Sequence, residues 1–403
     1  MNILYASDNF KEKFNKYASE ITEYTGKLKI ETHNNAVVVP FYNSSHSPSP
    51  SALNEGGVFD CSGNIIELSK TRVSKQTVHV GAPETYDVNR EFKYIDDDVV
   101  FLGNFSTHFG HFLIDSLNRL WVYLNNNDFF KKKAVYIGES DVFFIELIEI
   151  FGLDKKNITR VKVPSRFRSV IIPEQSNLLY GRFYHKKYKE IFDKIRTNSS
   201  GCSYDKIYLS RTKFQKDETY ICGENEIEKM FESNGFKIVY PEKVSIRKQI
   251  ELIKNCKYLA GIQGSSIHLS LFANDNTELT VIHREQNSIF PEQIKINKMK
   301  NIKNTSIEAS LDFLRPFPFN IKYAISVRNR YMSDWLKDMK YKVDERTNKP
   351  VTFEDYIGHE EFKKLNKVFL WGKKLKEKII MLLTNFIFIK SLRKKLRYRL
   401  INR

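Results

Sequence analysis

Hydrophobic and polar positions alternate along the chain in short runs that switch between the period of a strand and the period of a helix. The strand-like runs of the first half are VFDCSGNIIEL, KQTVHVGA, DVVFLG, AVYIG, ITRVKV and SVIIP. The helical patterns of this half are Thr107–Asn125, VFFIELIEIFGL and Tyr184–Ile195. Strands that alternate with helices predict an α/β domain.

The alternation is cleaner in the second half, beyond the polar stretch Thr197–Ser203, which we interpret as a linker. The strand-like runs here are KIYLS, KIVYP, KYLAGI and LTVIH. The helical patterns between them are Asn225–Ser233, Ser245–Cys256 and Ser266–Phe272. This order predicts a parallel sheet with right-handed crossovers, in which ligands bind beyond the carboxyl ends of the strands.

Local signals support two of the helices in the second half. Asn225 and Glu228 have the spacing of a capping box, and Gly235 is placed to end the same helix in a left-handed conformation. The next helix carries one apolar stripe, at Ile246, Ile250 and Ile253.

Composition excludes several classes of protein. The chain has 403 residues, of which 41% are hydrophobic and 13% aromatic, enough to bury a core and to exclude a mostly disordered chain. Only four cysteines occur, and none forms a CxxC pair, so neither a disulfide scaffold nor a zinc site of that type is predicted. Reduced thiols in the cytoplasm are the simpler expectation.

The net charge of +17 is concentrated in the C-terminal segment. Residues 367–403 hold 12 lysines and arginines against one acid, Glu377, and the apolar block Ile379–Ile389 lies between the basic clusters. This pattern predicts a basic amphipathic helix on an anionic membrane surface, and hence a peripheral location on the inner face of the cytoplasmic membrane. The alternative is a terminal helix packed on the body of the protein. No nucleic-acid partner is expected, since no recognisable nucleic-acid fold accompanies the tail.

The first candidate constellation follows the strand DVVFLG. His108, His111, Asp115 and Arg119 are spaced by three, four and four residues, which on a continuous helix places them on one stripe. The imidazoles can accept a proton near neutral pH, Asp115 can orient an imidazole or act as a base, and Arg119 would neutralise Asp115. The alternative is a solvated polar stripe with a structural Asp–Arg pair. A metal site is less favoured, because the HExxH spacing is lacking.

The second candidate constellation consists of two turns that follow strands of the second half. Gly264, Ser265 and Ser266 precede a predicted helix whose amino end favours a phosphate group. Arg211 and Lys213 follow the strand KIYLS, where an arginine can form paired hydrogen bonds to phosphate. Two such features in one sheet predict a diphosphate ligand.

A DxD pattern at Asp96 and Asp98 offers a different chemistry, because carboxylates so spaced hold a divalent cation and a sugar nucleotide in metal-dependent transferases. Those carboxylates would be expected after an apolar strand, whereas here they precede one. We interpret them as a turn at the entrance of the strand.

Together these segments resemble glycosyltransferase family 61, which includes bacterial capsular polysaccharide enzymes and eukaryotic transferases of N-acetylglucosamine and xylose. HFGHFLIDSLNRLW resembles the family segment His-x-x-His-Phe-x-x-Asp-x-x-x-Arg, and IYLSR resembles its Tyr-[Ile/Leu]-Ser-Arg strand. The likeness extends over roughly Val99–Glu285, where the block from NEIEKMF to LSLFAN resembles the family's C-terminal block.

The resemblance implies a GT-B architecture, in which two Rossmann-like domains face a cleft. We expect an acceptor-side α/β domain at 1–197, a nucleotide-sugar domain at 204–320, and a helical extension with the basic tail at 321–403. The implied reaction is an inverting, metal-independent transfer from a nucleotide sugar, with a UDP-sugar as the expected donor. The acceptor would be a growing surface glycan, of capsular or lipopolysaccharide type, on a lipid carrier, and no cofactor is expected.

By motif match, His108, His111 and Asp115 would be catalytic, with the base left open between Asp115 and His111. Arg211, Lys213 and the turn Gly264–Ser266 would hold the donor diphosphate.

Two departures from the family pattern leave the donor sugar open. Gln263 replaces a histidine, with His268 where a threonine or asparagine is common, and Val281 replaces a glutamate. Arg119, Gln263 and His268 complete the predicted cleft. The alternatives are a metal-dependent GT-A transferase that uses Asp96 and Asp98, and an inactive GT-B scaffold for polysaccharide assembly.

Overall fold

The computed structural model describes residues 2–42, 53–124, 126–141, 143–199, 204–214, 221–311, 323–343 and 378–380. The strands in these ranges are β1 (Asn2–Tyr5), β2 (Thr22–Tyr24), β3 (Ile30–Asn34), β4 (Val37–Tyr42), β5 (Asn54–Phe59), β6 (Thr71–Arg72), β7 (Val78–Ala82), β8 (Lys93–Asn104), β9 (Lys133–Ile137), β10 (Ile158–Arg160), β11 (Ser165–Pro173), β12 (Phe183–His185), β13 (Lys206–Leu209), β14 (Ile221–Cys222), β15 (Lys237–Val239), β16 (Tyr258–Ile262), β17 (Glu278–His283), β18 (Lys303–Glu308) and β19 (Tyr323–Ala324).

The α-helices are α1 (Asp8–Glu20), α2 (Phe109–His111), α3 (Asn127–Phe130), α4 (Glu146–Phe151), α5 (Lys186–Asn198), α6 (Glu224–Ser233), α7 (Ile246–Ile253), α8 (Pro291–Met299) and α9 (Arg330–Asp338).

The second half of the chain forms the parallel sheet that its alternating pattern predicts. Six strands lie in the order β1-β18-β17-β16-β13-β15, and every neighbouring pair is parallel. Ile246, Ile250 and Ile253 of α7 are all buried, as their spacing predicts. Gly235 has φ of 80° just after α6, which confirms the left-handed helix end.

The capping box predicted at Asn225 is wrong. Helix α6 begins one residue earlier, at Glu224, with Gly223 in the N-cap position. The Glu228 side chain instead accepts hydrogen bonds from Ser210 and Thr212, at 2.5 and 2.6 Å, and so fixes the loop after β13. The predicted linker lies partly inside α5, which extends to Asn198, and residues 200–203 lie outside the described ranges.

The first strand of the chain belongs to the second sheet, which differs from the boundary predicted at 1–197. Strand β1 pairs with β18, with Asn2 opposite Asn304 and Tyr5 opposite Ile307. Helix α1 then buries Phe10, whose ring lies 4.7 Å from the His283 ring at the end of β17. Burial of such an aromatic ring contributes ~2–3 kcal/mol, so α1 is held to this sheet.

The first sheet is mixed, whereas the expectation was a Rossmann-like domain. Strands β10, β9, β8 and β11 are parallel to their neighbours and form the α/β part that the pattern predicts. Strands β3 and β4 pair antiparallel with β11, and β4 continues into the antiparallel strand β5. The short hairpins of the N-terminal residues thus extend the sheet without intervening helices.

The two sheets share one hydrophobic core. Helices α4 and α5 of the first half pack with α7 and the 3-10 helix Ser265–Phe272 of the second half. The Phe192 and Phe272 rings, one from each half, lie 5.5 Å apart, and a single buried cluster includes side chains from both sheets.

The basic tail lies outside the described residues, except for residues 378–380, and so do residues 344–377 of the predicted extension. Among the helices that the structure describes, none has the length and apolar character required to cross a bilayer.

Candidate functional site

The candidate site is built on the carboxyl end of β8, where the predicted continuous helix is broken. Helix α2 ends at His111 and continues as a π-helical turn, Phe112–Ser116, before a separate 3-10 helix at Leu120–Tyr123. The Tyr188 hydroxyl donates to the Leu113 carbonyl, and the Asn177 amide donates to the Ile114 carbonyl, both at 3.1 Å. These donors occupy carbonyls in the π-helical turn, and such turns are frequent at functional sites.

Because the helix is broken, Arg119 leaves the predicted stripe. Its side chain is 1% exposed and donates hydrogen bonds to the Pro173 and Lys70 carbonyls. Burial lowers the pKa of Arg119 to about 9. The prediction that Arg119 neutralises Asp115 in the cleft is wrong, since the guanidinium lies behind β8, against Gly103.

His111 and Asp115 remain together at the surface of the site. The Nδ1 atom of His111 lies 3.6 Å from Oδ2 of Asp115, an ion-pair distance longer than a normal hydrogen bond. The carboxylate raises the pKa of His111 above 6.5, although burial opposes the shift. The His111 side chain is 36% exposed and that of Asp115 only 10%, so the imidazole faces the solvent side of the pair.

His108 precedes this pair and caps α2. Its Nδ1 atom accepts a long hydrogen bond, 3.5 Å, from the backbone N–H of His111, and the two rings lie 5.1 Å apart. A ring whose Nδ1 atom accepts this bond carries its proton on Nε2 when neutral. His108 is exposed, so Nε2 can reach a bound molecule.

The turn after β16 forms the second part of the site. The 3-10 helix Ser265–Phe272 begins directly after Gly264, where a Cβ atom would lie 2.9 Å from Nη1 of Arg211. The missing side chain therefore allows the guanidinium to lie against the turn. Ser266 is 8% exposed, and its hydroxyl has no hydrogen-bond partner among the described residues.

A buried glutamate holds the Arg211 loop in place. The backbone N–H of Arg211 donates to Glu224 at 2.7 Å, and the Tyr208 hydroxyl lies 3.4 Å from the same oxygen. Burial raises the pKa of Glu224 to about 7, while the bond from Arg211 opposes that shift. The guanidinium itself lies 5.0 Å from the centroid of the Phe214 ring.

The two parts of the site meet at Gly110. A Cβ atom there would lie 2.9 Å from the Ser265 hydroxyl and 3.4 Å from Cε1 of His108. The turn that carries His111 therefore touches the turn that carries Ser266. Gly110 and Ser265, which belong to motifs in the two halves of the sequence, are adjacent in the structure.

Residues 109–280 match the family model described as Glycosyltransferase 61. The match covers less than half of the chain, and over this segment the sequence is similar to that family. The match confirms the resemblance and supports glycosyltransferase activity. A search of curated proteins gave no match of comparable significance.

Two residues expected in the cleft are buried within the segment that matches the family model. His268 is 3% exposed, and its Nδ1 atom lies 2.9 Å from the Gln293 amide oxygen. Burial lowers the pKa of His268 to about 4, so it is a neutral core residue. Gln263 is also buried and accepts from the Arg284 backbone N–H at 3.3 Å, which fixes the end of β16.

Lys213 lies at the edge of the site. Its side chain is exposed, with Nζ 5.8 Å from the centroid of the Tyr240 ring.

Sequence reasoning missed two charged residues on α8, which follows the end of β17. Lys295 is buried and donates to the carbonyls of Leu178, Leu179 and Gly181, at 2.5, 3.1 and 3.2 Å, so it ties this helix to the first half. Burial lowers the pKa of Lys295 to about 8. Burial also raises the pKa of Glu292, and the charges of His111 and Asp115 shift that pKa in opposite directions. Pro291, typical of a first helical turn, was the available signal for this helix.

The DxD carboxylates lie far from these groups along β8, near its amino end. Asp98 accepts from Arg168 at 2.9 Å and Ser169 at 2.7 Å, and these bonds lower its pKa. Asp96 pairs with the same arginine. Within the described ranges, no three His, Cys, Asp or Glu side chains form a potential metal site. The DxD carboxylates thus serve to pair β8 with Arg168 of β11. They lie within β8, whereas the sequence predicts a turn before the strand.

We expect the Arg119→Met substitution to lower the free energy of unfolding by about 3 kcal/mol, because two buried carbonyls lose their donor. Urea denaturation followed by circular dichroism measures this change. Arg90→Met is the matched control, since that arginine is exposed and its pair with Asp87 contributes less than ~1 kcal/mol. Equal stability of the two variants would contradict the structural role of Arg119.

Proposed function

We propose that the protein is an inverting glycosyltransferase that moves a sugar from a nucleotide-sugar donor, a UDP-sugar, to a hydroxyl group of a growing surface glycan of capsular or lipopolysaccharide type. The observation that carries the proposal is the contact of the two turns at Gly110 and Ser265. In this proposal the His111–Asp115 pair on one turn is the proton acceptor, and Arg211 and Ser266 beside the other turn bind the anion. Inverting transfer to a hydroxyl needs these two functions at neighbouring positions.

In the proposed reaction, the acceptor hydroxyl attacks the anomeric carbon of the donor sugar. A carbon–oxygen bond forms there while the bond to the diphosphate oxygen breaks, and both electrons of that bond leave with the nucleoside diphosphate. The hydroxyl proton passes to His111 or to Asp115. If His111 is the base, the adjacent carboxylate stabilises the imidazolium that forms.

The leaving diphosphate carries negative charge that must be compensated. Arg211 lies against Gly264, and Ser266 contributes an unpartnered hydroxyl at the start of the 3-10 helix. Arg211 and Ser266 follow the carboxyl ends of β13 and β16, which are neighbouring parallel strands. Open α/β sheets bind their ligands at such strand ends. This positive cradle supports a metal-independent mechanism, in which the guanidinium takes the place of a divalent cation.

We expect His111→Ala and Asp115→Asn each to reduce turnover by at least ~100-fold if that residue is the base, and Arg211→Met to reduce it by ~100-fold through loss of charge stabilisation. Hydrolysis of UDP-, GDP- and CMP-sugars, followed by nucleotide release with and without excess EDTA, is the assay.

Arg247→Met is the control for that experiment, because Arg247 is an exposed arginine paired with Glu146. Near-normal rates for both His111→Ala and Asp115→Asn would remove the base assignment. Loss of activity in EDTA would contradict metal independence, and an equal effect of the two arginine variants would remove Arg211 from the donor site.

The raised pKa of His111 makes a separate prediction. Below that pKa the imidazole is charged and paired with Asp115, and above it the ring is a neutral base, so kcat/KM should rise with pH through a midpoint above 6.5. Asp115→Asn removes the main cause of the raised pKa, and the titration of His111, observed by NMR of labelled histidine, should move to lower pH. Asp141→Asn, an exposed ion-pair partner elsewhere, serves as the control. An unchanged midpoint in Asp115→Asn would contradict this coupling.

We further propose a cytoplasmic protein bound to the inner face of the membrane through residues 367–403, which suits an acceptor on a lipid carrier. The support is the charge of the segment, 12 basic residues against one acid. The full chain should co-sediment with phosphatidylglycerol vesicles at least ~5-fold better than a chain that ends at Asn366. Phosphatidylcholine vesicles are the control, and equal binding of both chains to the anionic vesicles would overturn the anchor.

A further inference from the structure

A small pocket opens beside the His111–Asp115 pair, on the side of the first half. It has a volume of about 100 Å³ and lies where β8 ends, with Asn104 and Asp115 on its wall. Typical ligand pockets measure ~300–1,000 Å³, so this one accommodates roughly one ring and not a nucleotide sugar. Its wall includes Thr71 and His79, whereas the donor turns at Arg211 and Ser266 contribute nothing to it.

Two residues that line the pocket each carry a buried acceptor atom with no donor among the described residues. These are Oδ1 of Asp115, the oxygen that does not face His111, and Oδ1 of Asn104. Leaving a buried acceptor unpaired costs ~1–3 kcal/mol, so such atoms indicate a missing donor. A carboxylate only accepts hydrogen bonds, and each sugar hydroxyl has one proton to donate, so two hydroxyl groups of one ring can satisfy the two oxygens.

The remaining wall fits a sugar ring as well. The half-buried ring of Phe41 provides an apolar surface, and the exposed carboxylate of Glu139 provides a further acceptor at the rim. An apolar wall with a few convergent polar groups is typical of small-ligand sites. The combination favours a neutral ligand rich in hydroxyl groups over an anion, because the unpaired groups are acceptors.

We propose that this pocket binds the terminal sugar of the acceptor, with Asn104 and Oδ1 of Asp115 receiving hydroxyl hydrogen bonds. This inference rests on the proposed function and deepens it. In this arrangement the second oxygen of Asp115 and His111 face the attacking hydroxyl, while the first oxygen orients the ring. Thr71, His79 and Asn104 precede residue 109, so in this proposal part of the acceptor specificity lies outside the segment that matches the family model.

The test measures binding of the methyl glycosides of glucose, galactose, mannose and N-acetylglucosamine by saturation-transfer NMR, with UDP present. At least one glycoside should bind the full chain, and tetrahydropyran-2-methanol, which lacks the ring hydroxyls, should not. Asn104→Leu should reduce that signal by at least ~5-fold and Glu139→Ala, at an exposed rim position, by ~2–3-fold. Asn89→Leu, at an exposed site away from the pocket, should leave it unchanged.

Separate readouts distinguish the pocket from the donor site. UDP affinity, measured by calorimetry, should be the same in Asn104→Leu and the unmodified chain, which also shows that the variant is folded. A chain that binds UDP but none of the glycosides, or that binds them equally well with Leu at position 104, would overturn the pocket. Displacement of the glycoside by an intact UDP-sugar would assign it to the donor and would also overturn the proposal. If the full chain binds a glycoside but no UDP, and Asn104→Leu loses the glycoside signal, the pocket is supported. In that case the donor proposal fails.

Discussion

The candidate site depends on a close backbone approach between two turns. Gly110 has no side chain, and the hydroxyl of Ser265 occupies the space that a Cβ atom would need. The two turns cannot drift apart easily, because the helices behind them share one buried core and Lys295 ties α8 to three carbonyls of the first half. The relative position of the two halves is thus determined by packing and by a buried cation as much as by chain connection.

Two buried cations near the candidate site, Arg119 and Lys295, are satisfied by backbone carbonyls. Arg119 and Lys295 both have lowered pKa values because of burial, and neither forms an ion pair with a carboxylate among the described residues. The consequence for Asp115 is that its neighbour on the surface is a titratable imidazole and not a permanent charge. A carboxylate with such a neighbour can take part in proton transfer, whereas pairing with a guanidinium would hold it ionised.

The parts of the fold that could be predicted from sequence are those governed by local periodicity. The strands β13, β15, β16 and β17 and the helices α6 and α7 follow from short apolar runs and from one stripe. The helix predicted at Thr107–Asn125 failed because its carbonyls accept bonds from Asn177 and Tyr188, more than 60 residues away. The placement of Arg119 beside Asp115 assumed a regular helix, and it was wrong because the helix is broken between the two residues. The expectation for His268 failed for a related reason, since the turn after β16 directs its ring into the core, where it contacts Gln293.

The pairing of the first strand has a consequence for how the polypeptide is made. Strand β1 needs β18 as its neighbour, and some 300 residues separate the two in the chain. Because synthesis proceeds from the amino end to the carboxyl end, β1 cannot reach its final place until nearly the whole second sheet has left the ribosome. Until then Phe10 and Phe14 lack part of the core in which the folded protein buries them. A separately expressed second half that starts near residue 204 would lack one edge of its sheet, and the uncovered edge of β18 would be prone to self-association.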